Sequence, residues 1–234
     1  MKTILKRELR AYFLSPIGYT VIAVMYFFSS HYFFTYNLFG NTTDTSTMFS
    51  MLFSVAVFLV PILTMRLLSE ERRAKTEQTL WASPVSRLGV VLGKYIAALI
   101  LFLIAISGTL MAALVMQVYA HPSWPVVMAN YLGLSILGSA LIGICLFISA
   151  LTESQVTAAV AGFGVSLFLI LADALRYVVR GRALRAFVSF FAFQNRYRSF
   201  TVGIVDFTDV VFFVSFAWLF IALTAAVLER RRWA

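Results

Sequence analysis

The charged side chains that could take part in specific chemistry or recognition are concentrated in residues 66–94. This stretch contains nine Lys, Arg and Glu residues, whereas the apolar runs on either side of it contain almost none. Glu71 precedes Lys75 by four residues, which is the spacing at which side chains meet on a helix surface, and Arg73 and Glu77 repeat it. The pattern predicts a short, stiff, charged helix that lies across the mouth of a membrane bundle. The alternative is a solvated helix that only joins two apolar segments.

Local signals predict where this charged helix begins and ends. Ser69 is expected to cap its N-terminus, so that Glu70 and Glu71 lie in the first turn, where the helix dipole favours negative charge. Pro84 is expected to end it, because a proline ring clashes with the preceding turn and has no N–H to donate. Ser86 then marks the start of a second helix that continues into the next apolar run.

The sequence contains no motif for catalysis or for nucleotide binding. Gly93 and Lys94 resemble the end of a phosphate-binding loop, but Tyr95 follows them and the first glycine of that motif is missing. There is no zinc-protease motif, no nucleophile elbow and no cluster of acids and histidines at catalytic spacing. His31 and His121 are isolated, so no metal site is expected. We therefore expect a chain that is not an enzyme and holds no cofactor itself.

The elements that must position the charged stretch are membrane spans, as the composition shows. The chain is 61% hydrophobic with a mean hydropathy of +0.89, and only 12% of its residues are charged, against about 25% in soluble domains. Its net charge of +9 comes from basic residues at the ends of apolar runs, which indicates contact with lipid head groups instead of nucleic acid. The single cysteine, Cys145, lies inside an apolar run and excludes an intrachain disulfide.

Six apolar runs are long enough to cross a bilayer as helices, which takes about 20 residues. Their predicted bounds are residues 17–36, 48–68, 88–119, 126–151, 156–177 and 210–228. The third run is long enough to tilt or to extend beyond the bilayer. The predicted fold is an all-α membrane protein with six transmembrane helices, in a single domain that covers residues 1–234. Residues 66–87, between the second and third spans, are called the charged loop below.

Residues 1–15 are predicted to form an amphipathic helix that lies in the membrane interface before the first span. One side would be apolar and the other basic, so that the basic side faces anionic head groups. No small-residue cleavage site follows the next apolar run, so this helix is expected to be retained. The apolar side comprises Ile4, Leu5, Leu9, Tyr12 and Phe13, and the basic side comprises Lys6, Arg7 and Arg10.

The distribution of Lys and Arg predicts the orientation of the chain in the membrane. The loops at residues 37–47 and 120–125 contain neither residue and are predicted to be external. The N-terminus, the charged loop and the tail at residues 229–232 are basic and are predicted to be cytoplasmic. Two cytoplasmic ends require an even number of spans, which agrees with six.

Residues 178–206 depart from this rule, because they are rich in arginine but fall outside by parity. They are predicted to form short helices at the external interface. Their arginines would either pair with Asp173, Asp206 and Asp209 or with lipid phosphates, or they would contact an external anionic ligand. The arginines considered for that contact are Arg180, Arg182, Arg185, Arg196 and Arg198.

Small residues recur at four-residue spacing in the fourth and fifth spans, a pattern that lets helices approach closely in lipid. We expect packing within the chain, although a role at a pore or a subunit interface has the same signature. The residues are Ser135, Ser139 and Gly143 in the fourth span, and Ala158, Gly162 and Ser166 in the fifth.

Residues 61–98 resemble the first cytoplasmic loop of ABC-2 type permeases, most closely that of the gliding-motility-type subfamily. The matching residues, in order, are Pro61, Leu63, Thr64, Met65, Arg66, Glu71, Arg72, Thr76, Glu77, Ser83, Pro84, Val85, Ser86, Gly93 and Lys94. Residues 200–233 resemble the closing segment of that family through Gly203, Asp206, Asp209 and a terminal Arg-Arg-Trp. Lys75 departs from the pattern, because many relatives carry glycine there.

The resemblance implies the permease subunit of an ABC transporter that exports its substrate across a bacterial cytoplasmic (inner) membrane. It implies two ATPase subunits that bind ATP and Mg²⁺, a second permease copy or a sister permease, and in some relatives an extracytoplasmic accessory subunit. The N-terminal helix would be the family's elbow helix, and the charged loop its coupling helix. The residues expected at the ATPase interface are Glu70, Glu71, Arg72, Arg73, Lys75, Thr76, Glu77, Leu80, Ser83 and Pro84.

Two alternative functions share these features. A membrane channel or scaffold without an ATPase would have the same composition, although the sequence contains no ring of acids and no glycine-rich filter that would support a channel. An ABC complex that does mechanical or assembly work with an extracytoplasmic partner would share the family motifs as well. An ATPase gene beside the gene for this chain would favour the ABC functions over the first alternative.

Overall fold

A computed structural model describes residues 2–74, 86–178 and 192–230. These residues are helical apart from short turns and contain no strand, and six of the helices are long and apolar enough to cross a membrane, as predicted. Span one comprises Pro16–Tyr32 and the π-helix Phe33–Leu38, span two is Ser46–Thr64, span three comprises Arg87–Ile106 and Gly108–Tyr119, span four is Trp124–Leu151, span five is Gln155–Val178 and span six is Phe207–Arg230.

Three shorter elements complete the described part of the chain. The N-terminal helix is Lys2–Leu14, and only Ser15 separates it from span one. The charged loop begins with a single helical turn, Ser69–Arg73, which we call the segment helix. The connection between spans five and six ends with a helix, Phe193–Thr201, which we call the loop helix.

Span three consists of two helices, although its sequence predicts one. The break lies at Ser107, whose hydroxyl group donates a hydrogen bond to the Ile104 carbonyl at 2.7 Å. Gly108 follows, and a Cβ atom at this position would lie 2.9 Å from the ring of Tyr26 on span one. Serine and glycine in sequence are a recognised cause of helix kinks, and here they let spans one and three approach.

Two of the small residues of spans four and five, both glycines, pack against other spans of the same chain. A Cβ atom on Gly143 would lie 3.3 Å from the Cα atom of Ala217 on span six. A Cβ atom on Gly162 would lie 3.0 Å from the Cβ atom of Pro61 on span two. Close helix approach within the chain, the first of the two predicted roles, therefore explains both positions.

The six spans place the elements between them at two ends of the bundle. Arg72 in the segment helix pairs with Glu153 in the turn after span four, and Arg87 pairs with Glu229 near the end of span six. The N-terminal helix lies at this same end, which we call the charged-loop end. The loop helix lies at the opposite end. Residues 2 and 230 lie at the same end of the bundle as each other, as an even number of spans requires.

Candidate functional site

Lys94 is the centre of a charged cluster at the charged-loop end. It lies on span three, two turns after Arg87, and its side chain is only 1% exposed. Its Nζ atom is 3.1 Å from Oε1 of Glu8 and 2.9 Å from Oε1 of Glu71, and it donates a hydrogen bond to the Leu67 carbonyl at 2.6 Å. Three oxygen atoms thus match the three N–H donors of an ammonium group. Lys94 joins the N-terminal helix, the charged loop and its own span.

Arg7 completes the cluster from the solvent side. Its Nη2 atom lies 2.7 Å from Oε1 of Glu8 and 2.6 Å from Oε1 of Glu71, the same two oxygens that contact Lys94. The Arg7 side chain is 52% exposed, so solvent screens its interactions much more than those of Lys94. Burial by itself would raise the pKa of Glu8, but the charge of Lys94 and hydrogen bonds from Arg7 and Lys94 hold that pKa below its ordinary value.

Glycine before Lys94 brings the N-terminal helix close to span three. A Cβ atom on Gly93 would lie 3.0 Å from Cγ2 of Ile4, so a larger residue here would push the two helices apart. Tyr12, which is fully buried, donates a hydrogen bond from its hydroxyl group to the Leu63 carbonyl of span two at 2.9 Å. The Gly-Lys pair therefore serves helix packing and a buried ion pair, and this explains its presence without a phosphate-binding loop.

The start of the segment helix is capped by a different span. The hydroxyl oxygen of Ser149 on span four accepts hydrogen bonds from the N–H groups of Leu68 and Ser69, both at 3.2 Å. It also donates to the Met65 carbonyl at 3.1 Å. The prediction that Ser69 caps this helix is wrong: the hydroxyl group of Ser69 donates back to the Met65 carbonyl, and Leu68 is the cap residue. The predicted cap at Ser86 is confirmed, because its hydroxyl oxygen accepts from Gly89 N at 3.3 Å.

Two arginines attach the charged loop to its neighbours. Arg66 Nη1 donates to the hydroxyl oxygen of Ser15 at 2.9 Å, at the junction between the N-terminal helix and span one. Arg72 Nη1 donates to the carbonyl of Leu151, the last residue of span four, at 2.8 Å. Its Nη2 atom lies 2.8 Å from Oε1 of Glu153. The described start of the charged loop is therefore fixed to spans one and four as well as to spans two and three.

The structure separates the residues predicted for the ATPase interface into those that face solvent and those used within the chain. Glu70 and Arg73 are exposed, although Glu70 also pairs with Arg66 at 3.3 Å, whereas Glu71 and Arg72 make the internal contacts described above. The segment helix ends at Arg73, and Ala74 forms its C-terminal turn. The other predicted positions lie outside the described residues, and so do the predicted pairs of Glu71 and Arg73 with residues four positions later. They are Lys75, Thr76, Glu77, Leu80, Ser83 and Pro84.

A cleft of about 300 Å³ opens between the N-terminal helix and the segment helix. Its charged lining is balanced, with three basic and three acidic side chains, so it suits a polar or zwitterionic group of a partner better than a simple anion. Within the part of the chain that the structure describes, no group of His, Cys, Asp and Glu is suited to hold a metal ion. The charged residues of the lining are Arg7, Arg66, Lys94, Glu8, Glu70 and Glu71.

Comparison with known protein families shows the family of the chain. A model of the family described as ABC-2 family transporter protein matches residues 7–233. The chain belongs to the ABC-2 transporter family. No curated protein matched the chain in a direct comparison. The chain is accordingly a multi-pass membrane protein and an ABC permease subunit, the transmembrane component of a complex in which ABC ATPase subunits are the normal partners.

Residues of the permease that organise the charged-loop end were absent from the predicted interface. Glu8, Lys94 and Ser149 make its most buried contacts, yet none was assigned a role there. A signal was present for two of them, because Glu8 is the single acidic residue of the N-terminal helix and Lys94 is a single charge close to an apolar run. Isolated charges of opposite sign in neighbouring apolar elements are candidates for a buried pair.

At the opposite end of the permease, the described arginines differ in their surroundings. Arg196 Nη1 lies 2.9 Å from Oδ1 of Asp209, and its guanidinium group lies over the ring of Phe212, 4.1 Å from the centroid. Arg196 therefore has the aspartate partner that was one of the predicted alternatives. Arg198 is exposed. Arg180, Arg182 and Arg185 lie outside the described residues.

Two further aspartates at that end of the permease cap helices. Oδ2 and Oδ1 of Asp173 on span five accept hydrogen bonds from the N–H groups of Gln194 and Asn195, at 2.8 and 3.2 Å. Oδ1 of Asp206 accepts from Thr208 N at 2.9 Å at the start of span six, as predicted. Gly203, one of the residues in the family resemblance, follows the loop helix at a φ of +86°, a conformation that favours glycine.

Proposed function

We propose that this permease couples ATP hydrolysis by two ABC ATPase subunits to export of a substrate across a bacterial cytoplasmic membrane. The charged-loop end would face the cytoplasm, in keeping with the basic N-terminus and the basic tail. ATP and Mg²⁺ would be held by the ATPase subunits. A second copy of the permease or a sister permease would complete the transmembrane part, and the motifs at residues 61–98 and 200–233 favour the gliding-motility-type subfamily.

The observation that carries this proposal is the attachment of the charged loop to four spans. Its described start is held by Ser15 before span one, by Lys94 on span three and by Ser149 on span four, and it continues directly from span two. Packed helices transmit a displacement as rigid elements that have a few discrete arrangements. A force applied to this loop by closing ATPase subunits would therefore reach most of the bundle at once.

The proposed interface uses the solvent-facing side of the charged loop. Glu70 and Arg73 would contact the ATPase directly, together with Lys75, Thr76, Glu77, Leu80, Ser83 and Pro84. Glu71 and Arg72 would support that surface from behind, because they bind the rest of the bundle. Charge pairs at the edge of such an interface set partner choice and association rate more than affinity. An extracytoplasmic accessory subunit would bind at the opposite end.

The first experiment is purification of the tagged permease from its native membrane in mild detergent, with mass spectrometry of the proteins that accompany it. We expect an ATP-binding subunit in equal amount. The double variant Arg73→Ala and Glu77→Ala should lose that subunit, whereas the matched variant Arg198→Ala, an exposed arginine at the opposite end, should keep it. Assembly and coupled activity at the wild-type level in the double variant would remove the assigned interface. Recovery of the permease alone, also after cross-linking in intact membranes, would remove the ABC complex itself.

A further inference from the structure

We propose that Lys94 is a positioning residue that makes the N-terminal helix move together with the charged loop. A displacement of the charged loop would then also displace span one. This inference rests on the proposed function. In the absence of Lys94, the loop would still act on spans two and three, which it connects, and on span four through Ser149, but its only described hydrogen bond toward span one would be that of Arg66 to Ser15. With it, the same displacement would also pull the helix that leads into span one.

The connection from the N-terminal helix to span one is short. That helix ends at Leu14 and span one begins at Pro16, with Ser15 between them. Proline fixes its own backbone and restricts the residue before it, so this junction has little freedom to absorb a movement. Arg66, at the start of the charged loop, donates to the hydroxyl oxygen of Ser15 at 2.9 Å. A displacement of the N-terminal helix would therefore be passed to span one.

The connection from the charged loop to the N-terminal helix depends on charge. Glu71 in the loop and Glu8 in the helix share the ammonium group of Lys94, at 2.9 and 3.1 Å. Removal of this cation would leave the two carboxylates facing each other, with the half-exposed Arg7 as the cation that still contacts both of them. Removal of one partner of a buried ion pair leaves the remaining charges poorly compensated. The contact between the loop and the helix would then weaken.

The contact of the N-terminal helix with span three is of a different kind. Apart from the ion pair of Glu8 with Lys94, the described contact is apolar, and in it Ile4 lies against Gly93. Apolar contacts are non-directional and allow packed surfaces to slide, whereas a hydrogen-bonded ion pair fixes the position of both partners. The ion cluster is therefore the contact that keeps the N-terminal helix at a fixed position relative to the charged loop when the loop is displaced in either direction. This assigns Lys94 a role in transmission, in addition to its contribution to stability.

The test measures movement of the N-terminal helix in the complete complex with its ATPase subunits. Cys145 is first replaced by Ala, which removes the single native thiol. Spin labels are then attached at Arg10→Cys on the N-terminal helix and at Phe207→Cys at the start of span six, at the opposite end of the bundle, and both positions are exposed. The distance between the labels is compared without nucleotide and after trapping with ATP and vanadate. We expect a nucleotide-dependent change in this background and a severalfold smaller change after Lys94→Met.

Two further variants distinguish a role of Lys94 in passing movement to the N-terminal helix from a role in stabilising the folded permease. The neutral double variant Glu8→Gln and Lys94→Met removes one charge of each sign together and leaves Glu71 paired with Arg7, and buried ion pairs replaced in this way commonly keep or gain stability. It should fold and bind the ATPase subunits like the parent, yet show the reduced change in distance. Lys6→Met removes an exposed lysine from the same helix and should behave like the parent.

A full wild-type response in the neutral double variant would overturn the proposal, because Lys94 would then serve only to neutralise an acidic side chain. A full response in Lys94→Met would overturn it as well. Failure of the proposed function would look different: no ATPase subunit would accompany the parent permease, or its labels would not respond to nucleotide.

Discussion

The Nη1 atom of Arg196 lies 2.9 Å from Oδ1 of Asp209, so an ion pair joins the loop helix to the first turn of span six. Asp209 is 7% exposed, and the ring of Phe212 covers the guanidinium group. Asp173 from span five caps the loop helix. Tyr197 binds the loop helix to span two, because its hydroxyl group donates a hydrogen bond to the Phe49 carbonyl at 3.1 Å. The bundle is therefore held together at both ends by charged or hydrogen-bonded contacts between elements distant in sequence.

Loss of the Arg196 side chain should destabilise the permease. We expect Arg196→Met to lower the free energy of unfolding by about 2 kcal/mol, less than for a fully buried pair because the arginine is partly exposed. Thermal unfolding in mild detergent can be followed by reaction of a thiol dye with Cys145, which is buried in the folded chain. Arg198→Met is the matched control and should not change the midpoint. Equal midpoints for the two variants would contradict the assigned role of Arg196.

Loss of the Ser149 hydroxyl group should loosen the start of the charged loop. In Ser149→Ala the N–H groups of Leu68 and Ser69 lose their acceptor, at a cost of about 1–3 kcal/mol for unsatisfied buried groups. We expect trypsin to cleave after Arg66 about tenfold faster, measured by mass spectrometry of the fragments. Ser135→Ala is the control, because that hydroxyl group bonds only to the Tyr131 carbonyl of its own helix among its described contacts. An unchanged rate in Ser149→Ala would refute the tertiary cap.

Two glycines of span five should respond in opposite ways to a larger side chain. Gly162→Val places atoms against the rigid ring of Pro61 on span two, and overpacking of this kind costs about 1–3 kcal/mol. Gly164 has no atom within 4 Å of its would-be Cβ, so Gly164→Ala should leave the unfolding midpoint unchanged or raise it. The reaction of the thiol dye with Cys145 measures the unfolding midpoints of both variants. A midpoint for Gly162→Val as high as that of the parent would show that spans two and five do not pack through this pair.

Acid should weaken the charged-loop end through Glu8. The pKa of Glu8 in the folded chain is held below its ordinary value of 4.5, against the effect of burial, by Lys94 and Arg7. A carboxyl group with a lowered pKa contributes stability that is fully present above the unfolded pKa and is lost as the pH falls through the folded pKa. We expect the unfolding midpoint of the parent to fall more steeply below pH 4.5 than that of Glu8→Gln. Parallel pH profiles in this range would contradict the pairing.

Several features of the charged-loop end could be predicted because they depend on neighbours in sequence. The spacing of charges predicted a helix from Ser69 to Pro84; a helix is present at the start of the loop, but it ends at Arg73. Ser86 and Asp206 were correctly assigned as caps of spans three and six. The cap at Ser69 was wrong because the N–H groups at this position are satisfied by Ser149, 80 residues away, while its own hydroxyl group bonds back to Met65. A sequence pattern shows that a donor needs an acceptor, but it does not show which distant residue supplies it.

The sequence by itself determined the all-α membrane fold, the six spans and their parity, because the length and polarity of a span are set by the bilayer and require no knowledge of neighbouring helices. Only the tertiary structure decided which charges meet. Glu8, Glu71 and Lys94 lie in three separate elements, and a glycine at position 93 lets the first of these approach the third. Charge pairs across such distances depend on helix packing, and helix packing is fixed by shape and small residues, which a linear pattern records only in part.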